Sequence, residues 1–558
     1  MHNLLTSTQR MVINRARHID RIKVYGPPGT GKTFTLIALY SSLLESSSID
    51  RIPAIAFNRS VADEIASRTA RTLNLSSTEL KREWVSTFHA FCRRLLIRKA
   101  GMAIKVLDEN EIAKKYLEYI DKEGEKELKI AKKVIEIYFT LEERKGIVDP
   151  YEIYEIILAD LQIHIKRGKL PYDADDVRKF LFPSFIPTFQ SFREHRFSSP
   201  IKEVSFYELL LLVDREFQVI DFFDAVLIDE VQDLSPTQWR IVKKFRGKIY
   251  LFGDDDQSIY GYRGARPKEF LDFPAEPIVL DITFRYNSSY ARMLEEGLRL
   301  FIKERQRKIV SGEGPSIFIS FVKSFEEFIK EAYEEEKPAL ILSRTNKKIE
   351  ELSEELRKGE NIGFMVPHRI QIHEEYDAEN IVFKNIQKAY IFITSQTEEE
   401  LAEKLSPFIR RYDYSNLPVR EKINILRRHY PDYLLIFEVL KNKTLEQKIR
   451  ILIDARDKTL KKHARIIYDN ADLKNLDKWF RLMKEPKILL STIHRIKGGE
   501  CENVFIRGFK DGLMPLRRAG SQIDFEEEAR IAYVALSRTK RTVYVDSLET
   551  PFIGFLLK

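Results

Sequence analysis

The stretch Gly26-Pro27-Pro28-Gly29-Thr30-Gly31-Lys32-Thr33 limits what this chain can fold into more than any other feature. It fits the pattern G-x-x-x-x-G-K-[ST], with the strand-like run Arg21 to Tyr25 before it and the helical run Thr33 to Glu45 after it. Strand, glycine turn and helix make a phosphate cradle. Backbone N–H groups of the turn and of the helix N-terminus point at phosphate oxygens, while Lys32 reaches the terminal phosphates and the Thr33 hydroxyl sits on Mg²⁺. The loop alone leaves kinases, GTPases, transporters and motors open.

At 558 residues the chain exceeds what one core usually organises, so several domains are expected. Residues 1–96 alternate strand-like and helical runs, the texture of a parallel α/β sheet. Residues 97–203 turn to charged helical sequence that reads as an insertion, and the α/β texture resumes over 204–276. A second α/β stretch over 277–370 is followed by a second helical insertion, 371–483, and by a return of α/β texture over 484–558. Two α/β cores, each interrupted by a helical insertion, are the expected architecture.

Composition narrows the class. There are 93 Lys and Arg against 85 Asp and Glu, a net charge of +8, which permits a polyanionic partner. Cys92 and Cys501 are the only cysteines, too few for a disulfide framework, a cysteine zinc site or an iron–sulfur cluster, and they imply a reducing, cytoplasmic setting. The longest apolar runs, such as Leu209 to Val213, fall far short of a membrane span, and Arg10, Arg15 and Arg17 stand where a signal peptide would be apolar. No membrane partner is expected. High Lys and Glu usage is compatible with a heat-adapted source.

A P-loop ATPase needs acids on a neighbouring strand. The run Ala225 to Pro236 supplies them: an apolar strand ends in Asp229, placed to hold the metal, and Glu230, placed to polarise water as general base. The long gap between Lys32 and Asp229 supports an insertion between them.

The ordered motifs LTSTQR, GPPGTGKT, AFNRSVADEI, STFHAFCRRLL, LIDEVQDLSPTQW, LFGDDDQSIYGYRGA, TFRYNSS, LSRTN, STIHRIKGGECENVFI and EEEARIAYVALSRTK, from residue 5 to about 545, closely resemble the superfamily 1 helicases of the UvrD, PcrA and Rep type. The resemblance implies two RecA-like P-loop cores with ATP and Mg²⁺ in the cleft between them. Gln9 matches the adenine-reading glutamine, Phe284 the aromatic that stacks on the base, and Glu500 the ribose-binding glutamate. Gly26, Pro27, Pro28, Gly29, Thr30, Gly31, Lys32, Thr33 and Phe34 line the nucleotide, with Thr33 and Asp229 on the metal. Gln257 would sense the γ-phosphate. Arg263 matches a further arginine near the phosphates, and Arg285 and Arg538 resemble two arginine fingers contributed by the second core. Such fingers stabilise charge on the transferring phosphoryl group.

The same resemblance implies a single-stranded DNA track, with single-strand/duplex junctions as substrates, 3′ to 5′ movement and a monomer or weak self-association. Phe57, Asn58, Thr87, His89, Tyr260, Tyr262, Thr492 and His494 would line that groove, where aromatic stacking holds bases and polar groups hold phosphates. Several positions depart from the family. Ser60 stands where Lys is common, Tyr262 where Trp is usual, and Arg495 and Gly499 alter the motif around His494. The second insertion is short, and the 13 residues after Val545 leave no room for an appended domain or fused nuclease. The basic run 441–465, with nine Lys or Arg against three acids, reads equally as a duplex-phosphate contact or a solvated helix face. A translocase or RNA helicase of the same superfamily is the alternative activity, and a nucleotide-gated DNA-binding scaffold is the alternative from another class. The complete set Lys32, Thr33, Asp229, Glu230, Arg285 and Arg538 disfavours the scaffold.

Overall fold

The computed structural model describes residues 4–145, 148–165, 172–306, 308, 311–321, 325, 327–329, 339–358, 370–372, 387–406, 417–454, 460, 461, 464, 465, 467, 468, 488–517 and 524–556. The chain divides into two compact units. The first comprises Met1–Ser316 with Asp524–Tyr533, and the second Ile317–Ile523 with Val534–Leu556.

In the first unit the strands are β1 (Arg21–Tyr25), β2 (Ala54–Ala56), β3 (Val85–Thr87), β4 (Ala103–Val106), β5 (Ile201–Val204), β6 (Ala225–Ile228), β7 (Lys248–Gly253), β8 (Glu276–Val279), β9 (Ile282–Thr283) and β10 (Ser311–Gly312). Six of them form a sheet in the order β3-β2-β6-β7-β1-β8, and every pairing is parallel. The central strands are apolar end to end because helices cover both faces: β6 is buried at all four positions. One face packs on the helix Lys32–Leu44 and its neighbours through Leu36, Ile37 and Tyr40, and the other on the helices Phe88–Arg98 and Phe206–Glu216 through Phe91, Leu95 and Leu209. Parallel strands all end on one edge of the sheet, and loops at that edge are where α/β folds bind ligands.

The first insertion leaves the core after β4 and returns at β5, and these two strands pair in parallel with Ala103 opposite Ile201. Between them run helices Glu109–Tyr119, Glu125–Lys145, Pro150–Ile165, Ala174–Leu181 and Phe185–Ser198. They enclose their own aromatic core, in which Tyr116, Tyr138, Phe185, Phe189 and Phe192 meet ring against ring. A buried ionic joint ties the insertion to the sheet: Glu208, fully buried, accepts from Arg196 at 2.5 and 3.0 Å and from Arg193 at 3.2 Å. Arg193 also holds Glu142 at 2.8 and 2.9 Å. Glu143 accepts from the Thr237 N–H and hydroxyl at 3.1 and 2.8 Å, fastening the helix Pro236–Lys243.

In the second unit, β11 (Phe318–Phe321), β12 (Ala339–Ser343), β13 (Ile370–Ile372), β14 (Ile488–Thr492), β15 (Cys501–Ile506) and β16 (Thr539–Val545) form a second parallel sheet in the order β11-β16-β15-β12-β14-β13. Helices Glu398–Leu405, Val419–His429, Pro431–Leu440 and Leu445–Ile453 carry a separate apolar cluster around Phe392, Phe437 and Leu452. In the basic run 441–465, Lys448 is buried and donates to the Ile393 and Ser395 carbonyls at 3.0 and 3.3 Å, so its charge closes a helix end. Residues 455–459 of that run lie outside the described residues.

One expected boundary moves. The break at 276/277 cuts the first sheet, because β8 pairs with β1 from Glu276 opposite Ile22 to Val279 opposite Tyr25. The first unit continues to Ser316 through β9 and β10, which pair with each other.

Candidate functional site

Five loops at the strand ends of the first sheet carry most of the expected chemistry. After β1 the chain turns at Gly29 (φ +81°) and Gly31 (φ +77°), a left-handed backbone that only glycine adopts without cost. A Cβ on Gly26 would lie 2.3 Å from Lys32 Cγ, so the Lys32 stem fills the space that a side chain there would take. Lys32 Nζ donates to the Gly26 carbonyl at 2.5 Å and Thr30 Oγ1 to the Pro27 carbonyl at 2.8 Å. Phe34 is partly buried against the core beneath the loop. Gln9 is buried as well: its Oε1 accepts from the Thr6 N–H in a capping box of the helix Ser7–Ala16, and its Nε2 donates to the Thr30 carbonyl at 3.0 Å. It therefore braces the loop from the side.

After β6, Asp229 Oδ2 accepts from Thr33 Oγ1 at 3.1 Å and Oδ1 from the Glu230 N–H at 2.9 Å. Burial, reinforced by the neighbouring Glu230, pushes the Asp229 carboxyl up to about 7, with Lys32 opposing. Glu230 itself sits at φ +52°, a strained conformation for a non-glycine residue, of a kind that clusters where function fixes a side chain. These residues fit a magnesium nucleotide. A hydroxyl and a carboxylate side by side are hard oxygen ligands, and the positive-φ glycine turn leads directly into the N-terminus of the helix Lys32–Leu44.

After β7, Gln257 is buried and its Nε2 donates to Asp254 Oδ2 at 2.7 Å. Gln232, which sequence reasoning passed over, joins the two acidic loops: its Oε1 accepts from the Asp254 N–H at 3.0 Å and its Nε2 donates to Glu230 Oε2. Its place two residues beyond Glu230 was the available signal.

Arg285 corrects an expectation. The resemblance assigns it to the second core, whereas it belongs to the first unit and lies against the phosphate loop. Thr283 Oγ1 donates to the Pro28 carbonyl at 2.8 Å, the Phe284 N–H donates to the Gly29 carbonyl at 3.0 Å, and a Cβ on Gly29 would stand 2.5 Å from Arg285 Cβ. Phe284 is 48% exposed beside that loop, open to stack on a base. The Arg263 side chain lies outside the described residues.

Arg538 and Glu500 belong to the second unit. Arg538 is buried at the end of the helix Phe525–Leu536, donating to Val534 O at 2.9 Å, Gly499 O at 3.2 Å and Ser537 Oγ at 2.8 Å. Arg530, on the same helix, takes Glu526. Glu500 pairs with Lys540.

The residues expected along a nucleic-acid track also fall at strand ends. Phe57 follows β2 and stacks on Tyr260 with ring centroids 5.4 Å apart, and Tyr260 meets Tyr262 at 6.1 Å. Phe57 and Tyr262 are 37% and 45% exposed. Asn58 caps the helix Arg59–Leu73 by accepting from the Val61 N–H, and Ser60 donates to the same oxygen, so the serine that replaces a lysine supports the cap. Thr87 ends β3, and His89 packs edge-on against Phe206, a 51% exposed aromatic that no motif had marked. Burial holds the His89 imidazole down at about 4, hence neutral. Thr492 ends β14 in the second unit, followed by His494.

Comparison with known proteins now bears on this geometry. A model of the UvrD/REP helicase N-terminal domain matches residues 5–277, and one of the UvrD-like helicase C-terminal domain matches residues 374–550. The chain belongs to the UvrD/PcrA type of superfamily 1 helicase. Among curated relatives, a probable DNA helicase II homolog of Mycoplasma capricolum is 24% identical over 97% of this chain and 84% of its own length. The ATP-dependent DNA helicase PcrA of Staphylococcus epidermidis is 22% identical over 94% of this chain and 80% of its own. Membership in the UvrD/PcrA type makes the chain an ATP-dependent DNA helicase. Among the described residues no helix is long and apolar enough to cross a membrane.

Proposed function

We propose that this helicase translocates on single-stranded DNA from 3′ to 5′ and opens duplex at a single-strand/duplex junction, working as a monomer or a weakly self-associating one. The observation that carries the reading is the loop after β7. It holds Gln257, bonded to Asp254, and three residues later Tyr260, stacked on Phe57. A shift of the Gln257 amide on hydrolysis would thus be transmitted to the aromatic ladder through one short segment.

Bound magnesium nucleotide supplies the phosphoanhydride and a Lewis-acidic cation. Lys32 neutralises phosphate charge, and Thr33 and Asp229 orient the cation through the oxygens they already bring together. Glu230 accepts a proton from the attacking water on its carboxylate, held in place by the Gln232 amide. Arg285 offsets charge that develops on the transferring group. On the track side of the first unit, Phe57, Tyr260, Tyr262 and Phe206 offer ring faces or edges to bases, and Asn58, Thr87 and His89 offer polar groups to the backbone. His89 is neutral, so it contributes hydrogen bonding and packing without ionic attraction.

The test is strand displacement on duplexes with a 3′ or a 5′ single-stranded tail, beside steady-state ATPase with single-stranded DNA, single-stranded RNA and blunt duplex. The expected result is displacement from the 3′ tail alone, hydrolysis stimulated by single-stranded DNA, and neither in Lys32→Ala. Stimulation by RNA alone would move the reading to an RNA helicase. Hydrolysis indifferent to any nucleic acid would end it.

A further inference from the structure

The loop after β7 carries three consecutive buried aspartates, Asp254, Asp255 and Asp256, with carboxylate oxygens within 4.8 Å of one another. Like charges that close in a poorly solvated place repel strongly unless a cation joins them. The chain provides its own. Lys308 Nζ lies 2.7 Å from Asp254 Oδ1, 2.6 Å from Asp255 Oδ1 and 2.8 Å from Asp256 Oδ2, so its three N–H groups meet three different carboxylates. Arg305 adds a fork onto Asp256 at 2.8 and 2.5 Å and another onto Glu295 at 2.7 and 2.5 Å.

Asp254 is the node of this cluster. One of its carboxylate oxygens is held by Lys308, the other receives Gln257 Nε2, and its N–H donates to Gln232, which in turn holds Glu230. Lys308 also stands just before β10, which pairs with β9. Beyond it, a Cβ on Gly314 would fall 2.3 Å from the Tyr286 nitrogen and 2.5 Å from the Arg285 carbonyl carbon. One short segment therefore touches both the Gln257 loop and the backbone of Arg285. Nothing in the sequence near 308 marks this.

We propose that Lys308 is a positioning residue for nucleotide sensing: its ammonium fixes Asp254, and through Asp254 the Gln257 amide, in the orientation that distinguishes a bound triphosphate from a diphosphate. The proposal rests on reading Gln257 as the γ-phosphate sensor. Without the ammonium, Asp254 loses its ionic partner and keeps the weaker Asp256 N–H at 3.3 Å on the same oxygen, so the carboxylate that receives the Gln257 amide is less firmly aimed. A cavity of about 380 Å³, lined by Tyr286, Arg292, Glu295, Lys308 and Tyr533, opens onto the cluster and gives small cations a route to the place the ammonium occupies.

The test uses the full-length protein and the variants Lys308→Ala, Lys308→Arg and Gln257→Ala. Affinities for ADP and for a non-hydrolysable ATP analogue are measured, with DNA-stimulated kcat, in the presence and absence of methylammonium. Lys308→Ala is expected to lose roughly 10-fold to 100-fold in kcat and in the preference for the ATP analogue over ADP, with ADP affinity retained. Methylammonium is expected to restore both in Lys308→Ala alone. Lys308→Arg keeps the charge in another shape and should fall between the two; should Lys308→Ala fail to fold, a wild-type preference in Lys308→Arg, whose planar fork cannot meet three carboxylates alike, overturns the proposal. Equal losses of ADP and ATP-analogue affinity with a lowered Tm in Lys308→Ala, or an unchanged preference there while Gln257→Ala abolishes it, also overturn it. If Gln257→Ala itself leaves the preference intact, the sensor reading fails instead.

Discussion

β1 leaves the first sheet through Gly26 to Gly31, two of whose glycines adopt positive φ, before the helix Lys32–Leu44 begins. β12, also an interior strand of a parallel sheet, leaves the second through Arg344 and Thr345, without a glycine, into the helix Asn346–Lys358. There the Thr345 hydroxyl accepts from the Lys348 N–H, so a side chain takes the donor that a phosphate would take in the first unit. Sheet order sets where a loop stands; the loop's own residues decide whether it can hold an anion. Other strand ends match more closely: Ser86-Thr87-Phe88-His89 closes β3 and Ser491-Thr492-Ile493-His494 closes β14.

The contrast breaks most directly at the phosphate loop. Lys32→Ala should lower DNA-stimulated kcat by about 10³ or more in steady-state ATPase, whereas Lys348→Ala should leave kcat unchanged. A comparable loss from Lys348→Ala would mean that both strand ends serve nucleotide. The two insertions sharpen the contrast next. Glu208→Ala takes the carboxylate from buried Arg196 and one of the two from Arg193 and should cost about 3–5 kcal/mol by denaturant unfolding, while Glu398→Ala, which removes the partner of the exposed Arg427, should cost less than about 1 kcal/mol.

Among the aromatics, Tyr262→Ala should weaken single-stranded DNA binding by about 1–3 kcal/mol in anisotropy titrations at fixed salt, and Phe284→Ala should raise the KM for ATP with DNA affinity unchanged. Positive-φ glycines offer a finer comparison. Gly29→Ala places a Cβ 2.5 Å from Arg285 Cβ on top of a left-handed backbone and should lower stability by more than the roughly 1–2 kcal/mol of the backbone alone; Gly498→Ala, with nothing within 4 Å, should show only the backbone cost in the same unfolding assay.

The smallest effect is in pH. His89 is held down near 4 by burial, so in the unfolded chain it takes up a proton near 6.5 that the folded chain refuses. Its contribution to stability is present above about 6.5 and is lost as pH falls toward 4. An NMR titration should find the His89 imidazole neutral from pH 6 to 8, and a midpoint inside that window would remove the neutral-contact role.

Local pattern made the glycine loop after β1 and Asp229-Glu230 legible, because each directly follows a strand run. The textural shift near 97–203 has the same origin: charged amphipathic helices read differently from buried strands. What escaped are pairings between distant stretches. β8 reads as the start of a new core because its sequence says nothing about β1 as its partner. Gln232 and Lys308 escaped because a buried polar side chain is recognised by what it meets, and those partners lie on other loops. Charge counted along the basic run 441–465 does not reveal that Lys448 points inward.

The ribbon of β4 and β5 has a consequence for exchange of parts. The pair is parallel, so the exit after Val106 lies opposite Val204 while the return at Ile201 lies opposite Ala103, and the two junctions stand at opposite ends of the ribbon, roughly 11 Å apart. A shorter or different module grafted there must span that offset with its own chain. What resists the graft is Glu208: it stays behind in the core helix while Arg193 and Arg196 depart with the module, so any replacement must bring two cations to the same spot or arrive together with a neutral residue at 208.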